Sequence, residues 1–435
     1  MNPWLVLLPH AAADRIAAIT AGWGHLNVSI SRPDRLAGIV GVSEREVMMA
    51  YTALDVPTGH PLTVSDTEPY SGVWHRGQDA LQTAWLDCML RASALPTERF
   101  RELVTHGWVS PPADRGRFTL IYTPGDKPRF SAWWVSRVQA EPANLDVLAR
   151  PGLGWAQLAP GWPTNVVRGA RVAVIGVGSI GAVAADALAG YGIGTLSLID
   201  PDRLLSHNLI RHLLTARDLG RAKVDGLADH LRRAWPETAV EPLELDVVAD
   251  ADRIRPLLHE SALVLCAADG VLSRRVTSHL ARRAAIPAVL ACVLEGGEIG
   301  EVIRLQPWPT VGCLTCQRQH LAESGSFAPE PALDAPYGAG SEQRPMTAVP
   351  ADLHLIGQLA AKIAVATLLE RAGYHDQLLP GDHVLTALRP RTDLPEPADL
   401  RRATEQRWIE LGPPIAGCPT CAPEAAQQAP AAAGE

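Results

Sequence analysis

One short stretch constrains this chain more than any other. Gly176-Val177-Gly178-Ser179-Ile180-Gly181 follows the β-branched run Arg171–Ile175 and opens an alanine-rich segment that continues to about Gly190. The apolar run reads as a buried strand and the alanine-rich segment as a helix. In such a turn the first glycine makes the bend and the second lets backbone approach an anion. The third lets the helix pack closely on the strand. The helix start then offers unpaired N–H groups and a positive dipole end. Thr195–Asp200 reads as a second buried strand, and it ends on Asp200, an acid placed to accept from ribose hydroxyls.

The pattern recurs. Strands are predicted near Val240–Leu245, at Leu263–Cys266 and at Ala288–Val293, with helices near Arg253–His259 and over Leu272–Ala285. Strands alternating with helices imply a parallel sheet covered on both faces, a doubly wound, Rossmann-like α/β fold. Asp352–Ala372 reads as a long apolar helix and Arg407–Leu411 as a late strand.

The residues after Asp200 separate two kinds of ligand. Asp202 follows, then Asn208-Leu209-Ile210-Arg211 between His207 and His212, then Lys223. A nicotinamide enzyme needs neither Asn-x-x-Arg just past its ribose acid nor a lysine soon after. A nucleoside triphosphate does: Arg211 can fork onto phosphate oxygens, Lys223 supplies a compact charge, and Asn208 can bond phosphate or sugar. The lysine stands out because the chain has only three, Lys127, Lys223 and Lys362, among 39 basic residues. Asp269-Gly270 follows another core strand. A carboxylate there is placed to hold Mg²⁺, which takes one or two carboxylates plus phosphate oxygens.

Four of the seven cysteines form matched pairs, Cys313-Leu-Thr-Cys316 and Cys418-Pro-Thr-Cys421, with 101 residues between them. Two CxxC pairs suit a tetrahedral zinc with no open position, hence a structural one, tying the chain end back to the middle of its domain. Cys266 and Cys292 fall on predicted core strands and Cys88 on a predicted helix, where cysteine behaves as a small hydrophobe.

Composition limits the rest. The 435 residues are 47% hydrophobic and 20% charged, which excludes a disordered chain. A net charge of −8 gives no basic footprint for nucleic acid. The longest apolar runs, such as Ala262–Ala268, fall far below the roughly 20 residues of a membrane span. Met1–Leu8 lacks a basic leader and a small-residue cleavage site, so the expectation is a cytoplasmic protein. Residues 1–150 hold seven of the twelve tryptophans. With helices at Ala11–Ala21 and Gln78–Ala92 and strands at Phe118–Tyr122 and Phe130–Val135, they read as a separate N-terminal α+β domain. A linker is placed at 151–164, a nucleotide-binding domain with the zinc site at 165–422, and a disordered tail at 423–435.

These motifs together resemble the ThiF/MoeB/HesA family of ubiquitin-activating-type adenylyltransferases, over about Arg171 to Cys421. The family pattern is a glycine-rich turn, a ribose-binding acid, Ser-Asn-Leu-x-Arg-Gln, a lysine, an Asp-Asn pair and two CxxC pairs on zinc. Here Gly176, Gly178, Gly181, Asp200, Asn208, Arg211, Lys223 and Asp269 match, while His207, His212 and Gly270 replace serine, glutamine and asparagine. The resemblance implies ATP, Mg²⁺ and Zn²⁺, with Arg211, Lys223 and Asp269 catalytic. It also implies adenylation of the C-terminal carboxylate of a small ubiquitin-like or sulfur-carrier protein ending in glycine. Family members work as dimers, so a homodimer is expected.

Many relatives carry a further cysteine after the first CxxC pair. Residues 317–350 contain none, so the expectation is an enzyme that hands its adenylate to another molecule without an enzyme-bound thioester. The Ser324–Thr347 stretch reads as a loop able to close over a partner's tail. Alternatives are adenylation of a short peptide in natural-product maturation, a non-catalytic nucleotide-binding scaffold, and a dehydrogenase. Arg211, Lys223 and Asp269 argue against the scaffold, and the cysteine pairs with Asn208-x-x-Arg211 against the dehydrogenase.

Overall fold

A computed structural model describes residues 3–45, 47–54, 60–62, 70–105, 107–126, 129–148, 155, 158–294, 297–307, 311–323 and 348–421. The loop expected at Ser324–Thr347, the tail from 423 and part of the linker lie outside the described residues. The chain divides into two compact units, Met1–Gly154 and Trp155–Glu435.

The first unit holds β1 (Leu5–Pro9), β2 (Trp23–Ser31), β3 (Leu36–Val42), β4 (Ala50–Tyr51), β5 (Tyr70–Arg76), β6 (Leu95–Pro96), β7 (Arg117–Thr123), β8 (Arg129–Val135) and β9 (Gln139–Leu148). Pairing runs β1-β3-β2-β5-β7-β8-β9 and returns from β9 to β1, so the sheet closes on itself. Closure removes the open edges that would otherwise pair with another chain. Trp74 and Trp133 are fully buried, and Trp4, Tyr70, Phe118 and Trp134 pack ring against ring. The helices His10–Ala18 and Asp79–Arg91 and the predicted strand pair are present, as β7 and β8.

The second unit contains β10 (Arg171–Ile175), β11 (Thr195–Ile199), β12 (Ala239–Leu243), β13 (Leu263–Cys266), β14 (Ala288–Leu294), β15 (Ile299–Leu305), β16 (His383–Ala387) and β17 (Gln406–Ile409). Their order is β12-β11-β10-β13-β14-β15-β16-β17. The first five pair in parallel and the last three add antiparallel strands, so the sheet is mainly parallel with an antiparallel extension. Alternate residues of each central strand enter opposite cores. Val172 and Val174, Leu263 and Leu265, and Val289 and Ala291 face one core. Ala173 and Ile175, Val264 and Cys266, and Ala288 and Leu290 face the other. That two-sided burial is why these strands read as continuous apolar runs.

The first core is closed by helices Ser179–Gly190, Lys223–Ala234 and Pro350–Arg371. Pro350–Arg371, 22 residues long, has the length and hydropathy to cross a membrane, but two thirds of its apolar window is buried within this unit, where it is a core helix. Gly357 lets it press on the Ser179–Gly190 helix: a Cβ there would lie 2.6 Å from the Ile180 carbonyl oxygen.

Two strands escape the apolar pattern because they bury charge. On β15, Glu301 is 2% exposed and accepts from Arg318 Nη1 at 2.7 Å and Nη2 at 2.5 Å, while His383 Nε2 of β16 lies 3.0 Å away. Arg304 of β15 bonds Asp382 at 2.5 Å and also Glu370. Burial raises the Glu301 pKa, but Arg318 and then His383 outweigh it and hold the carboxyl well below its ordinary range. Removing one partner of such a pair strands a buried charge. Arg318→Met should therefore cost about 3–5 kcal/mol in denaturant unfolding at pH 7. Because the folded pKa is depressed, this contribution is intact above the ordinary glutamate range and is lost as pH falls below it. The difference between wild type and variant should shrink accordingly in acid.

Candidate functional site

The sheet changes direction of winding at β10, with β11 on one side and β13 on the other. In open α/β sheets the ligand crevice lies beyond the strand C-termini at that point. Gly176 leaves β10 at φ +79°, and a Cβ there would lie 2.6 Å from the Ala268 nitrogen. A Cβ at Gly181 would lie 1.8 Å from the Gly176 carbonyl oxygen. Both positions therefore require glycine. At Gly178 a Cβ would meet nothing within 4 Å. That open side is where backbone can face an anion. Ser179 begins the helix, and Ile180 sends its side chain into the core while its backbone stays in the first turn.

Asp200 is 5% exposed beyond β11. Its Oδ2 accepts the Val177 N–H and its Oδ1 the Asp202 N–H, each at 2.8 Å. Burial pushes its carboxyl above the ordinary value, against Lys223 and these two N–H donors. So the predicted ribose acid also braces the glycine turn. Lys223 opens the Lys223–Ala234 helix, with Nζ 2.7 Å from Asp202 and 3.9 Å from Asp200.

Asn208 is buried in a 3₁₀ turn, where its Oδ1 accepts the Leu205 N–H at 2.9 Å. Its carbonyl accepts the Arg211 and His212 N–H groups at 3.0 and 2.9 Å. The Arg211 carbonyl lies 3.1 Å from His354 Nε2 on the Pro350–Arg371 helix. Asp269, beyond β13, is solvent-accessible yet crowded by surrounding protein. The crowding pushes its carboxyl upward, while Arg211, Lys223 and Arg274 pull it down. Arg211 and Lys223 thus each come into electrostatic range of Asp269, and Gly270 caps the Val271–Arg283 helix. Sequence reasoning passed over Arg274 and His354, and gave His212 no role of its own. The signal for His212 was its replacement of a glutamine in the motif.

A second constellation ties the chain end to this unit. Cys313, Cys316, Cys418 and Cys421 are all buried, with their sulfurs within 4.8 Å of one another. Sulfur separations are 3.6 Å for Cys313–Cys418, 3.8 Å for Cys313–Cys316 and 3.9 Å for Cys316–Cys421. A tetrahedral zinc with sulfurs at about 2.3 Å requires edges of about 3.8 Å, so these residues fit that ion. Gln317 holds the returning strand independently, bonding the Gly412 carbonyl at 2.8 Å and the Gly412 N–H at 2.9 Å.

The remaining cysteines are buried. Cys88 lies in a core of the first unit, and Cys266 and Cys292 in the second. Burial pushes the Cys292 thiol up to about 12, with Glu301 adding to it and Arg274 and Arg318 opposing.

The class this arrangement defines is an α/β unit with a glycine turn at its switch point and an acid, Asp269, approached by Arg211 and Lys223. The sequence pattern of the ThiF family matches residues 160–389, more than half of the chain, and the chain belongs to that family. It is 29% identical over 153 residues to the molybdopterin-synthase adenylyltransferase of Salmonella typhimurium, covering 35% of this chain and 61% of that protein. It is 32% identical over 120 residues to the SAMP-activating enzyme of Haloferax volcanii, covering 27% and 44%. The chain therefore spans less than two thirds of these relatives. A crystal structure of Escherichia coli MccB with ATP superposes at a TM-score of 0.42, with 19% identity, over 60% of this chain and 68% of that one.

A thiol with its pKa near 12 is almost wholly protonated at pH 8, and the thiolate is the nucleophile. Burial pushes the Cys266 thiol up as well. Iodoacetamide at pH 8 should leave both buried thiols, Cys266 and Cys292, unmodified in the native protein and alkylate both after denaturation, as read by peptide mass spectrometry.

Proposed function

We propose that the second unit uses ATP to adenylate the C-terminal carboxylate of a small ubiquitin-like or sulfur-carrier protein. The observation that carries this reading is the approach of Arg211 and Lys223 to Asp269, which lies just beyond β13, the strand paired with β10 and its glycine turn. In that reaction a carboxylate oxygen of the partner bonds to the α-phosphorus while the bond to the β-phosphate oxygen breaks. An acyl-adenylate and pyrophosphate result. The step needs alignment and charge neutralisation, and no protein nucleophile. The N–H groups from Gly178 onward face the phosphates. Arg211 forks onto phosphate oxygens, and Lys223 shifts its ammonium from Asp202 toward the anion. Asp200 meets the ribose with its remaining acceptor capacity. Asp269 would hold Mg²⁺, which screens phosphate charge.

The names of the relatives support the partner class: one is a molybdopterin-synthase adenylyltransferase and one a SAMP-activating enzyme. Family membership supports a homodimer, and the closed sheet of the first unit suits a partner-recognition role. The buried CxxC pairs would hold a structural zinc, leaving no open coordination position for chemistry.

Two experiments test this reading. With a carrier protein ending in glycine, the chain should exchange labelled pyrophosphate into ATP. Asp269→Ala should abolish exchange, and Lys223→Ala should lower it by about 30–150-fold, or roughly 2–3 kcal/mol. Exchange that is independent of the carrier, or unaffected by Asp269→Ala, would contradict it. Elemental analysis should give one zinc per chain. Cys418→Ser should lower the unfolding temperature far more than it weakens ATP binding. Iron in place of zinc would refute the assignment.

A further inference from the structure

The glycine turn is held by more than its glycines. Val177 lies between Gly176 and Gly178, and both of its backbone polar groups are taken. Its N–H donates to Asp200, and its carbonyl lies 2.8 Å from His212 Nε2. His212 is 7% exposed, and its Nδ1 accepts the Leu214 N–H at 3.0 Å. A ring nitrogen that accepts carries no proton, so the ring is neutral with its proton on Nε2, donated to Val177. Burial favours that form, pushing the ring down to about 4; the Val177 carbonyl and Asp218 oppose this, and Lys223 and Arg211 reinforce it.

The geometry has a consequence for the neighbouring peptide. The Val177–Gly178 amide is planar and trans, so the Gly178 N–H points opposite to the Val177 carbonyl. Drawing the carbonyl to the ring turns that N–H away from it. Among the described residues the Gly178 N–H makes no backbone hydrogen bond, and the space at Gly178 is open. The ring also sits one residue after Arg211, whose backbone is held by the Asn208 and His354 contacts. One side chain therefore links the two segments expected to meet the phosphates.

We propose that His212 is a positioning residue for the nucleotide: donating at Nε2 and accepting at Nδ1, it imitates a carboxamide and aims the Gly178 N–H at the triphosphate. The proposal rests on the nucleotide reading of the turn. It explains why histidine can stand where related sequences carry glutamine. A glutamine offers the same donor and acceptor from one planar group, whereas alanine or leucine leaves both buried partners unpaired.

The test is calorimetric titration of the full-length protein with MgATP, and separately with adenosine, which has no phosphate. Wild type, His212→Gln, His212→Leu and His212→Asn are compared, with circular dichroism to confirm folding. His212→Gln should keep ATP affinity within about threefold, and His212→Leu should lose roughly tenfold. His212→Asn, whose shorter amide reaches one partner only, should fall between them and keeps the test open if the leucine variant does not fold. The loss should fall on ATP and spare adenosine, a ratio that a purely structural role would not move. Equal losses for both ligands, or His212→Gln as weak as His212→Asn, would overturn the positioning role. Wild type that binds adenosine and ATP equally would instead remove the nucleotide reading on which it rests.

Discussion

Everything in the second unit follows from a backbone contact that admits no side chain. Gly176 turns at positive φ against Ala268, and Gly181 packs against the Gly176 carbonyl. This contact brings the C-terminal ends of β10 and β13 together and starts a helix at the switch point. Asp200, buried at the end of β11, then fixes the turn by accepting the Val177 N–H. The Gly178 N–H is left without a backbone partner among the described residues, and the space at Gly178 is open. Arg211 and Lys223, which follow β11, come near Asp269, which follows β13, because both strands flank β10.

The far end of the same unit is held by a buried cysteine cluster and buried charge. The Leu314–Glu323 helix carries Cys316, Gln317 and Arg318 in succession. Cys316 joins the sulfur cluster, Gln317 clasps Gly412, and Arg318 neutralises Glu301 in the middle of β15. That helix also docks on the Val271–Arg283 helix, where the Leu314 N–H bonds Ser278 at 3.1 Å. The Val271–Arg283 helix starts next to Asp269, so the cysteine cluster braces the element that presents the carboxylate.

Much of this was legible from the residues, for stated reasons. Strands β10, β11, β13 and β14 face two cores, and their unbroken apolar runs announce it. The CxxC pairs converge because their spacing suits one ion. Strands β15 and β16 were not legible, because Glu301, Arg304 and His383 look like surface residues until their partners are known. The closed sheet of the first unit was read only as an α+β domain. Its closing pair joins Leu5 to Asn144, a contact no local pattern encodes. Asn208 was read as a phosphate or sugar ligand, and the fold also employs it as a local cap. His212 looked like a departure from a motif, yet its two hydrogen bonds place it at the centre of the turn.

The central claim is that the crevice above Gly178 receives a triphosphate between Arg211, Lys223 and Asp269. A crystal structure with a non-hydrolysable ATP analogue and Mn²⁺ tests it most directly. The account predicts phosphate density within hydrogen-bond distance of the Gly178 and Ser179 N–H groups, a manganese anomalous peak at Asp269, and Lys223 turned from Asp202 to the phosphates. A nucleotide bound elsewhere, or a manganese peak remote from Asp269, would contradict it.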